Sequence, residues 1–263
     1  KILNRKKKEI YIGPREINTG CTIFNGIKPN KVSLWRKEEL GKVVIHELIH
    51  SLELEKHNNL DLYDYFDVNR DIIIRSFESY VEIMAQLLNL VISVNEIKYS
   101  KKSKKYLKKI PKTKKYHTDF KLFLQLLDKE KLWSLFQCGK ILNYYGYKNF
   151  NEFFNEKGIK NKTQRFKQTS NVFSYIILRS IIYNNLGEFL ILIFKYNTNN
   201  ILEDNIPDDI KINFFIKSIK KNNFIDKINF MINYIEKNRF NKNKQDKMVY
   251  NSMRLSCIET KII

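Results

Sequence analysis

The chain has 263 residues, which is enough for one large domain or two smaller lobes with a hydrophobic core. Lys and Arg number 48 against 28 Asp and Glu, and the resulting formal net charge of +20 ordinarily suggests a polyanionic partner such as nucleic acid. Lys greatly outnumbers Arg, however, and Asn, Ile, Tyr and Phe are abundant, a usage that A/T-rich codons favour. Much of the positive charge is therefore expected to be spread over the surface. Nucleic-acid association through a basic surface stays an alternative interpretation rather than the leading one.

The cysteine content and the hydropathy pattern both favour a soluble intracellular protein. An odd, widely spaced set of thiols offers no disulfide framework and no Cys-x-x-Cys metal spacing, which favours a reducing compartment. The thiols are Cys21, Cys138 and Cys257. The most apolar stretch, 173–194, is interrupted by charged and amide residues, whereas a membrane span needs about 20 nearly uninterrupted apolar residues. We therefore expect no membrane span, and no signal peptide is visible because no apolar segment follows the basic residues 5–8.

The beginning of the chain predicts a small antiparallel sheet followed by two helices. Short β-branched and aromatic segments, separated by turn-forming pairs, predict three strands. These strands are expected at 9–12, 17–24 and 32–35. Helical spacing of apolar residues then predicts one helix at 37–54, with acidic residues in its first turn. A second helix is predicted at 70–94, with Asn69 as its N-cap.

A Lys-rich connector at 99–116 marks the clearest boundary in the chain. It separates an expected N-terminal subdomain at 1–98 from a helical C-terminal subdomain at 117–263. In the second part, apolar residues recur at helical spacing in several segments. These segments are 119–145, 151–157, 171–184, 208–220 and 225–239. The predicted fold class is α+β, with a small N-terminal antiparallel sheet and two buried helices followed by a mainly helical lobe.

The first predicted helix contains the pattern His46-Glu47-x-x-His50. Residues four apart share one helix face, about 6 Å apart along the axis, so both imidazoles can reach one zinc ion. The glutamate beside the first histidine is placed to accept a proton from the attacking water. Almost every residue around the motif is apolar, which indicates a buried helix in which three polar groups need partners. The pattern therefore predicts a zinc site with Glu47 as general base.

The second predicted helix offers a third ligand. It is mostly apolar but carries Glu78 and Glu82, which lie four residues apart on one face. Buried ionised carboxylates are costly unless they are paired or bind metal. We expect Glu78 to bind the zinc and Glu82 to accept the free N–H of a ligating histidine, which would fix the ring orientation. A solvated helix face carrying two glutamates is the alternative.

These residues resemble the gluzincin group of zinc metallopeptidases. In that group the His-Glu-x-x-His pattern is combined with a glutamate from a later helix, which is often followed four residues later by a supporting acidic residue, as Glu78 and Glu82 would be here. The likeness covers about residues 31–85. Short strands followed by the motif helix also resemble the N-terminal half of a zincin catalytic domain. The resemblance implies that an edge strand, at 18–24 or 32–35, binds the substrate backbone.

The whole chain also looks like uncharacterised metallopeptidase-like proteins encoded by large DNA viruses. The segments 170–175 and 253–256 carry part of this likeness, and the A/T-rich residue usage fits it. The resemblance implies that the reducing compartment is the host cytoplasm or the virion.

Other residues could supply the third ligand. The metzincin pattern requires a glycine and a histidine three and six residues after the second ligand, where this chain has Glu53 and Lys56. His57 is one place late, so that pattern fails. His57 could still bind from a turn, and Asp61 or Asp64 could bind in an aspzincin-like site. Glu78 ranks first among these candidates.

Peptide hydrolysis also requires a donor that stabilises the oxyanion. Tyr175 is the preferred candidate, because the segment that resembles the viral proteins contains it, although a core tyrosine is the ordinary alternative. His117 and Arg254 are others, and Arg254 could instead bind the C-terminal carboxylate of a substrate. Tyr80 is expected to point elsewhere.

The sequence therefore predicts a zinc metallopeptidase, a hydrolase that acts on a protein or peptide substrate. Two alternatives remain open. The first is a basic protein associated with nucleic acid, including a protease recruited to DNA. The second is a structural virion protein that keeps a zinc fold without turnover.

Overall fold

The computed structural model describes residues 11–24, 30–35, 37–55, 60–99, 115–157, 163–198, 200–238 and 249–258. Most of the described chain is helical, and a small antiparallel sheet lies near the N-terminus. The predicted α+β class is confirmed.

Two strands form the sheet in the described part of the chain. Strand β1, Gly20–Ile23, pairs antiparallel with strand β2, Lys31–Leu34. Residues 9 and 10 of the strand predicted at 9–12 lie outside the described residues. Ile12, from the same predicted strand, forms an isolated parallel bridge with Gln168. Between Ile12 and β1 the chain forms the short helix α1, Pro14–Ile17, instead of extended backbone. Proline at the first helical position favours this start because its fixed φ suits a helix and its missing N–H needs no partner there.

The motif helix lies close to its predicted position. A 3-10 turn at Lys37–Glu39 leads into helix α2, Leu40–Ser51. The helix ends in a Schellman motif, in which the N–H of Leu54 bonds to the carbonyl of Ile49 at 3.2 Å and the N–H of Glu53 bonds to that of His50 at 2.9 Å.

Helix α3, Phe77–Tyr99, begins later than predicted. The prediction of a start at Arg70 with Asn69 as N-cap was wrong, because the side chain of Asn69 accepts the N–H of Asp71 at 2.7 Å within a turn. The following Ile72, Ile73 and Ile74 alternate between buried and exposed positions, as in an extended segment. Three consecutive β-branched residues favour that conformation over a helix.

The remainder of the described chain is helical. The predicted segments at 119–145, 171–184, 208–220 and 225–239 all correspond to helices, whereas 151–157 contains only the end of a 3-10 turn, Phe150–Glu152. A π-helical turn, Phe173–Leu178, runs directly into an α-helix. The α-helices are α4 at Lys115–Tyr144, α5 at Arg179–Asn184, α6 at Leu186–Tyr196, α7 at Asp208–Ile219 and α8 at Phe224–Lys237.

One hydrophobic core includes residues from both predicted subdomains, from Ile12 to Leu255. Helix α3 lies within it and packs against α2, α4, α5 and the π-helical turn. Most of the connector at 99–116 lies outside the described residues, so the proposed subdomain boundary stays a prediction.

A C-terminal segment, residues 249–258, is anchored by buried side chains from two helical regions. Glu39 accepts the backbone N–H groups of Leu255 and Ser256 at 2.8 and 2.9 Å. Glu130 of α4 accepts those of Cys257 and Ile258 at 3.0 and 2.8 Å. The segment thereby connects the start of the motif helix to the middle of α4.

By length and composition, one helix in the described residues could cross a membrane. It is Phe77–Ile97, and 78% of its most apolar window is buried inside the protein. The apolar stretch around 173–194 forms two helices, Phe173–Asn184 and Leu186–Tyr196, which pass the same test only as a pair and are bent by 96°.

Candidate metal centre

Helices α2 and α3 bring three candidate ligands together. The Nε2 atoms of His46 and His50 lie 3.0 Å apart. Oε2 of Glu78, in the first turn of α3, lies 3.6 Å from Nε2 of His46 and 3.4 Å from Nε2 of His50. Among the described residues, these three form a group that could hold a metal ion. The predicted ligand set is thus assembled in one place, although the identity of a metal is a separate question.

The size of this triangle fits tetrahedral coordination. Metal–ligand bonds of about 2.0–2.1 Å at tetrahedral angles place neighbouring ligand atoms about 3.3 Å apart. The measured separations of 3.0, 3.4 and 3.6 Å lie on both sides of that value. Two imidazoles and a carboxylate are also a donor set that zinc accepts, with a fourth position left for water. The residues therefore fit a divalent metal ion.

The charges at the centre are strongly coupled. Burial lowers the pKa of His50, but hydrogen bonds and charges from Glu55 and Glu78 outweigh it and raise the pKa to about 10. Burial raises the pKa of Glu78, but hydrogen bonds and charges from His46 and His50 outweigh it and hold the pKa well below its usual value. Without metal, a proton on His50 therefore neutralises Glu78, and a bound cation would take over that role.

Glu82 lies on the other side of the His46 ring, but the predicted hydrogen bond is not made, because Nδ1 of His46 has no hydrogen-bond partner among the described residues. Oε1 of Glu82 is 3.5 Å from Nδ1 of His46. Lys42 donates to both carboxylate oxygens of Glu82 at 2.8 and 2.9 Å, and Arg179 lies 3.8 Å away. Burial raises the pKa of Glu82, but the charges of Lys42, His46 and Arg179 outweigh it and lower the pKa. Glu82 is thus an ionised carboxylate beside the ring nitrogen that does not face the other ligands.

Glu55 is a site residue that the sequence did not reveal. Its side chain is fully buried, and its Oε1 is in close contact with Nδ1 of His50. The carboxylate fixes the orientation of the His50 ring. Glu55 follows the Schellman turn, and only the left-handed conformation of Glu53, φ 54°, directs the chain back towards the ring. A glutamate five residues after the second histidine was the available signal, but it indicates nothing unless that turn is known.

Glu47 is held against strand β1. Thr22 donates its hydroxyl to Oε2 of Glu47 at 2.8 Å. The strand can approach this closely because position 20 is glycine. A Cβ at Gly20 would lie 2.8 Å from Oε1 of Glu47 and 2.8 Å from Cγ1 of Val43. The carboxylate of Glu47 is therefore fixed between α2 and the sheet.

The three candidate ligands open into a cleft of about 600 Å³, which Glu47 and Tyr175 also line. Tyr175 lies in the π-helical turn and donates its hydroxyl to Oε2 of Glu78 at 3.0 Å. Asn171 donates to Oε1 of the same carboxylate at 2.8 Å. Burial and the charge of Glu78 raise the pKa of Tyr175 well above its usual value, so its hydroxyl keeps its proton. A segment distant in sequence thus orients Glu78 and places a tyrosine hydroxyl at the cleft.

Several rival residues lie elsewhere. Asp61 is exposed, and Asp64 pairs with Arg70 at 2.7 Å on the surface. Tyr80 points away from the centre, as predicted, and donates to the carbonyls of Ile201 and Glu203.

Arg254, another candidate for stabilising the oxyanion, lies away from the candidate ligands. It donates to the carbonyl of Glu38 at 3.4 Å and is not among the residues that line the cleft. His57 lies outside the described residues, and the side chain of His117 lies outside the described part of α4.

No protein-family model matches the chain, and no solved structure matches it. An uncharacterized protein of Acanthamoeba polyphaga mimivirus is 26% identical to the chain over 187 residues, which are 70% of this chain and 40% of that relative. The chain therefore spans less than half the length of the relative. The likeness is to a viral protein, in line with part of the sequence-based expectation, while the gluzincin resemblance stays a prediction.

Proposed function

We propose that the protein is a zinc-dependent peptidase in which His46, His50 and Glu78 hold the metal and Glu47 is the general base. One observation carries the proposal. The three ligand atoms form a triangle of tetrahedral size, and they face the same cleft as the carboxylate of Glu47. The two alternatives are a nucleic-acid-associated protein and a structural virion protein without catalytic turnover. Neither requires a glutamate at the position of Glu47.

The three donor residues alone are compatible with more than one kind of metal ion. Two histidines and one carboxylate bind zinc in peptidases, and they also bind ferrous iron in oxygenases. The arrangement of His46 and His50 one helical turn apart, with Glu47 between them, favours zinc and hydrolysis. Zinc in such a site supplies a water of lowered pKa and polarises the scissile carbonyl.

The surrounding residues have distinct roles in this proposal. Glu47, oriented by Thr22, takes the proton of the attacking water and delivers it to the leaving amine. Tyr175 keeps its proton and lines the cleft, so by rotating its hydroxyl away from Glu78, which keeps its hydrogen bond from Asn171, it can donate to the developing oxyanion. Glu55 contacts the imidazole of His50 from behind, and the carboxylate of Glu82 lies 3.5 Å behind that of His46.

Strand β1 offers an edge for the substrate backbone. The backbone N–H of Trp35 donates to the carbonyl of Thr19 at 3.0 Å. Hydrogen-bonded and non-hydrogen-bonded residue pairs alternate along an antiparallel ladder, so every second residue of β1 bonds to β2. The register then directs the backbone groups of Gly20 and Thr22 away from β2, and both residues line the cleft. No strand of the described chain pairs with that edge. We propose that a substrate binds there as an added strand.

The test combines metal analysis with the substitution Glu47→Gln. Zinc-loaded wild-type protein is expected to cleave members of a fluorogenic peptide library. Glu47→Gln should keep the metal and lower kcat by about 10²–10⁴-fold, the usual contribution of general acid–base catalysis. Glu53→Gln, an exposed change just past the end of the same helix, is the matched control and should behave like wild type. Bound iron without zinc, or full activity of Glu47→Gln, would overturn the proposal.

A further inference from the structure

The cleft contains a guanidinium whose charge is not neutralised within the described residues. Arg75 lines the cleft together with Glu47 and Glu78, and its side chain is exposed to solvent. In the described part of the chain its side chain forms no ion pair with a carboxylate. Arg70, five residues earlier, pairs with Asp64 on the surface instead and does not line the cleft.

The backbone of Arg75 is fixed relative to the metal ligands. Its carbonyl accepts the N–H of Glu78 at 3.2 Å, which ties it to the first turn of α3. Phe77, between them in sequence, packs edge-on against the ring of His50 with centroids 6.3 Å apart. The guanidinium therefore extends from a rigid point beside the candidate ligands.

Arg75 is the one lysine or arginine among the described residues that line the cleft, and Glu47 and Glu78 are the carboxylates there. A divalent metal ion would compensate these two carboxylates, while Glu55 lies buried behind His50 and outside the cleft lining. The positive charge of Arg75 then remains at a solvent-open cleft, where a complementary charge on a ligand would be attracted. Arginine suits carboxylates in particular because its planar fork can bind both oxygens.

We propose that Arg75 binds a carboxylate of the substrate, and that the protein favours peptides with an acidic group close to the scissile bond. The carboxylate can come from an Asp or Glu side chain or from the C-terminus of the peptide. This inference rests on the proposed peptidase function, and it assigns to Arg75 the role that the sequence suggested for Arg254.

The test uses peptides that differ by one charge. Blocked decapeptides carry a single Glu or Gln at each position in turn, and a second set has free or amidated C-termini. The zinc-loaded full chain should cleave the acidic member of one matched pair with a kcat/KM on the order of tenfold higher. A preference within the Glu/Gln set identifies a side-chain carboxylate, and a preference within the second set identifies the terminal one.

Variants of the guanidinium then test its role. Arg75→Gln should bring the ratio of kcat/KM values for the preferred pair close to one, and Arg75→Glu should favour a peptide with Lys at that position. Arg70→Gln is the matched control and should keep the wild-type ratio. Equal ratios in wild type, Arg75→Gln and Arg75→Glu would overturn the inference while leaving the peptidase function intact.

A binding measurement separates the two proposals. Fluorescence anisotropy can follow the acidic peptides on zinc-loaded Glu47→Gln protein with and without Arg75→Gln. Binding that depends on Arg75, without any cleavage by wild-type protein, would support the role of Arg75 and refute the peptidase function. The absence of both binding and cleavage would refute both.

Discussion

At the residue scale, the ring of His50 lies between two carboxylates. Nε2 is 3.4 Å from Glu78 and Nδ1 contacts Glu55, so the ring has little freedom to rotate. Removing the charge of Glu55 would weaken the orientation of this ligand. Glu55→Gln is expected to lower zinc affinity about 10–100-fold, the usual cost of losing a carboxylate behind a ligating histidine.

Competition with a chromogenic chelator measures this affinity directly. Glu53→Gln removes a neighbouring negative charge that is exposed and contacts no ligand, so it controls for a general electrostatic effect. Equal losses in the two variants would show that Glu55 acts only through its charge at a distance.

The same ring predicts a pH dependence for the metal-stripped protein. The pKa of His50 rises from 6.5 to about 10 on folding, so the folded state binds the proton more tightly than the unfolded state. The stabilisation is complete below pH 6.5 and is lost as the pH rises towards 10. Urea denaturation across this range should show a decreasing free energy of unfolding, and His50→Gln should flatten the decrease. A free energy that rises over the same range would contradict the assignment.

The candidate metal ligands were predicted from helical spacing together with the cost of burying polar groups. His46 and His50 are four apart in one helix, and Glu78 and Glu82 share one face of a mostly apolar helix. Glu55 could not be predicted, because its position depends on one left-handed residue that has no glycine to mark it.

At the element scale, the end of α2 contains a strained position. Glu53 occupies the left-handed position of a Schellman motif, which glycine normally fills. A side chain in this conformation costs about 1 kcal/mol, and the side chain of Glu53 is exposed. Glu53→Gly is therefore expected to stabilise the protein by about 1 kcal/mol in urea denaturation.

A reciprocal substitution is available at Gly146, which has φ 85° and open space where a Cβ would lie. Gly146→Ala should cost about 1 kcal/mol for the same conformational reason. Destabilisation by Glu53→Gly would mean that the carboxylate has an unrecognised stabilising role.

The helices of the second half were predicted in position but not in type. Apolar periodicity located 171–184, yet it could not reveal that Phe173–Leu178 is π-helical. The wider turn sets the direction of Tyr175, which reaches Glu78 across the core. Such a turn is determined by packing against other elements, and π-helical turns are frequent at functional sites.

At the scale of the whole molecule, residues from distant parts of the chain complete the centre. Arg179 is fully buried, lies 3.8 Å from Glu82 and donates to the carbonyl of Leu255 at 2.5 Å. Truncation from residue 249 onward would leave the carboxylates of Glu39 and Glu130 without their backbone donors. Hydrogen bonds to charged groups are worth about 1.5–3 kcal/mol each, so the truncated protein should unfold at a lower temperature.

Circular dichroism during heating tests this expectation. Val249→Ala, an exposed change at the start of the segment, is the control and should unfold like the full chain. A truncated protein with an unchanged Tm and unchanged zinc affinity would contradict a role for the segment.

The C-terminal segment also has a consequence for the time at which the protein can acquire metal during synthesis. His46, His50 and Glu78 emerge from the ribosome early, but Leu255, whose carbonyl accepts from Arg179, is made 177 residues after Glu78. At about 5–20 residues per second, roughly 10–35 seconds separate the two. During that interval the nascent ligands have no completed fold around them, so metal loading is expected to follow the synthesis of Leu255, and the proposed peptidase would stay inactive until then.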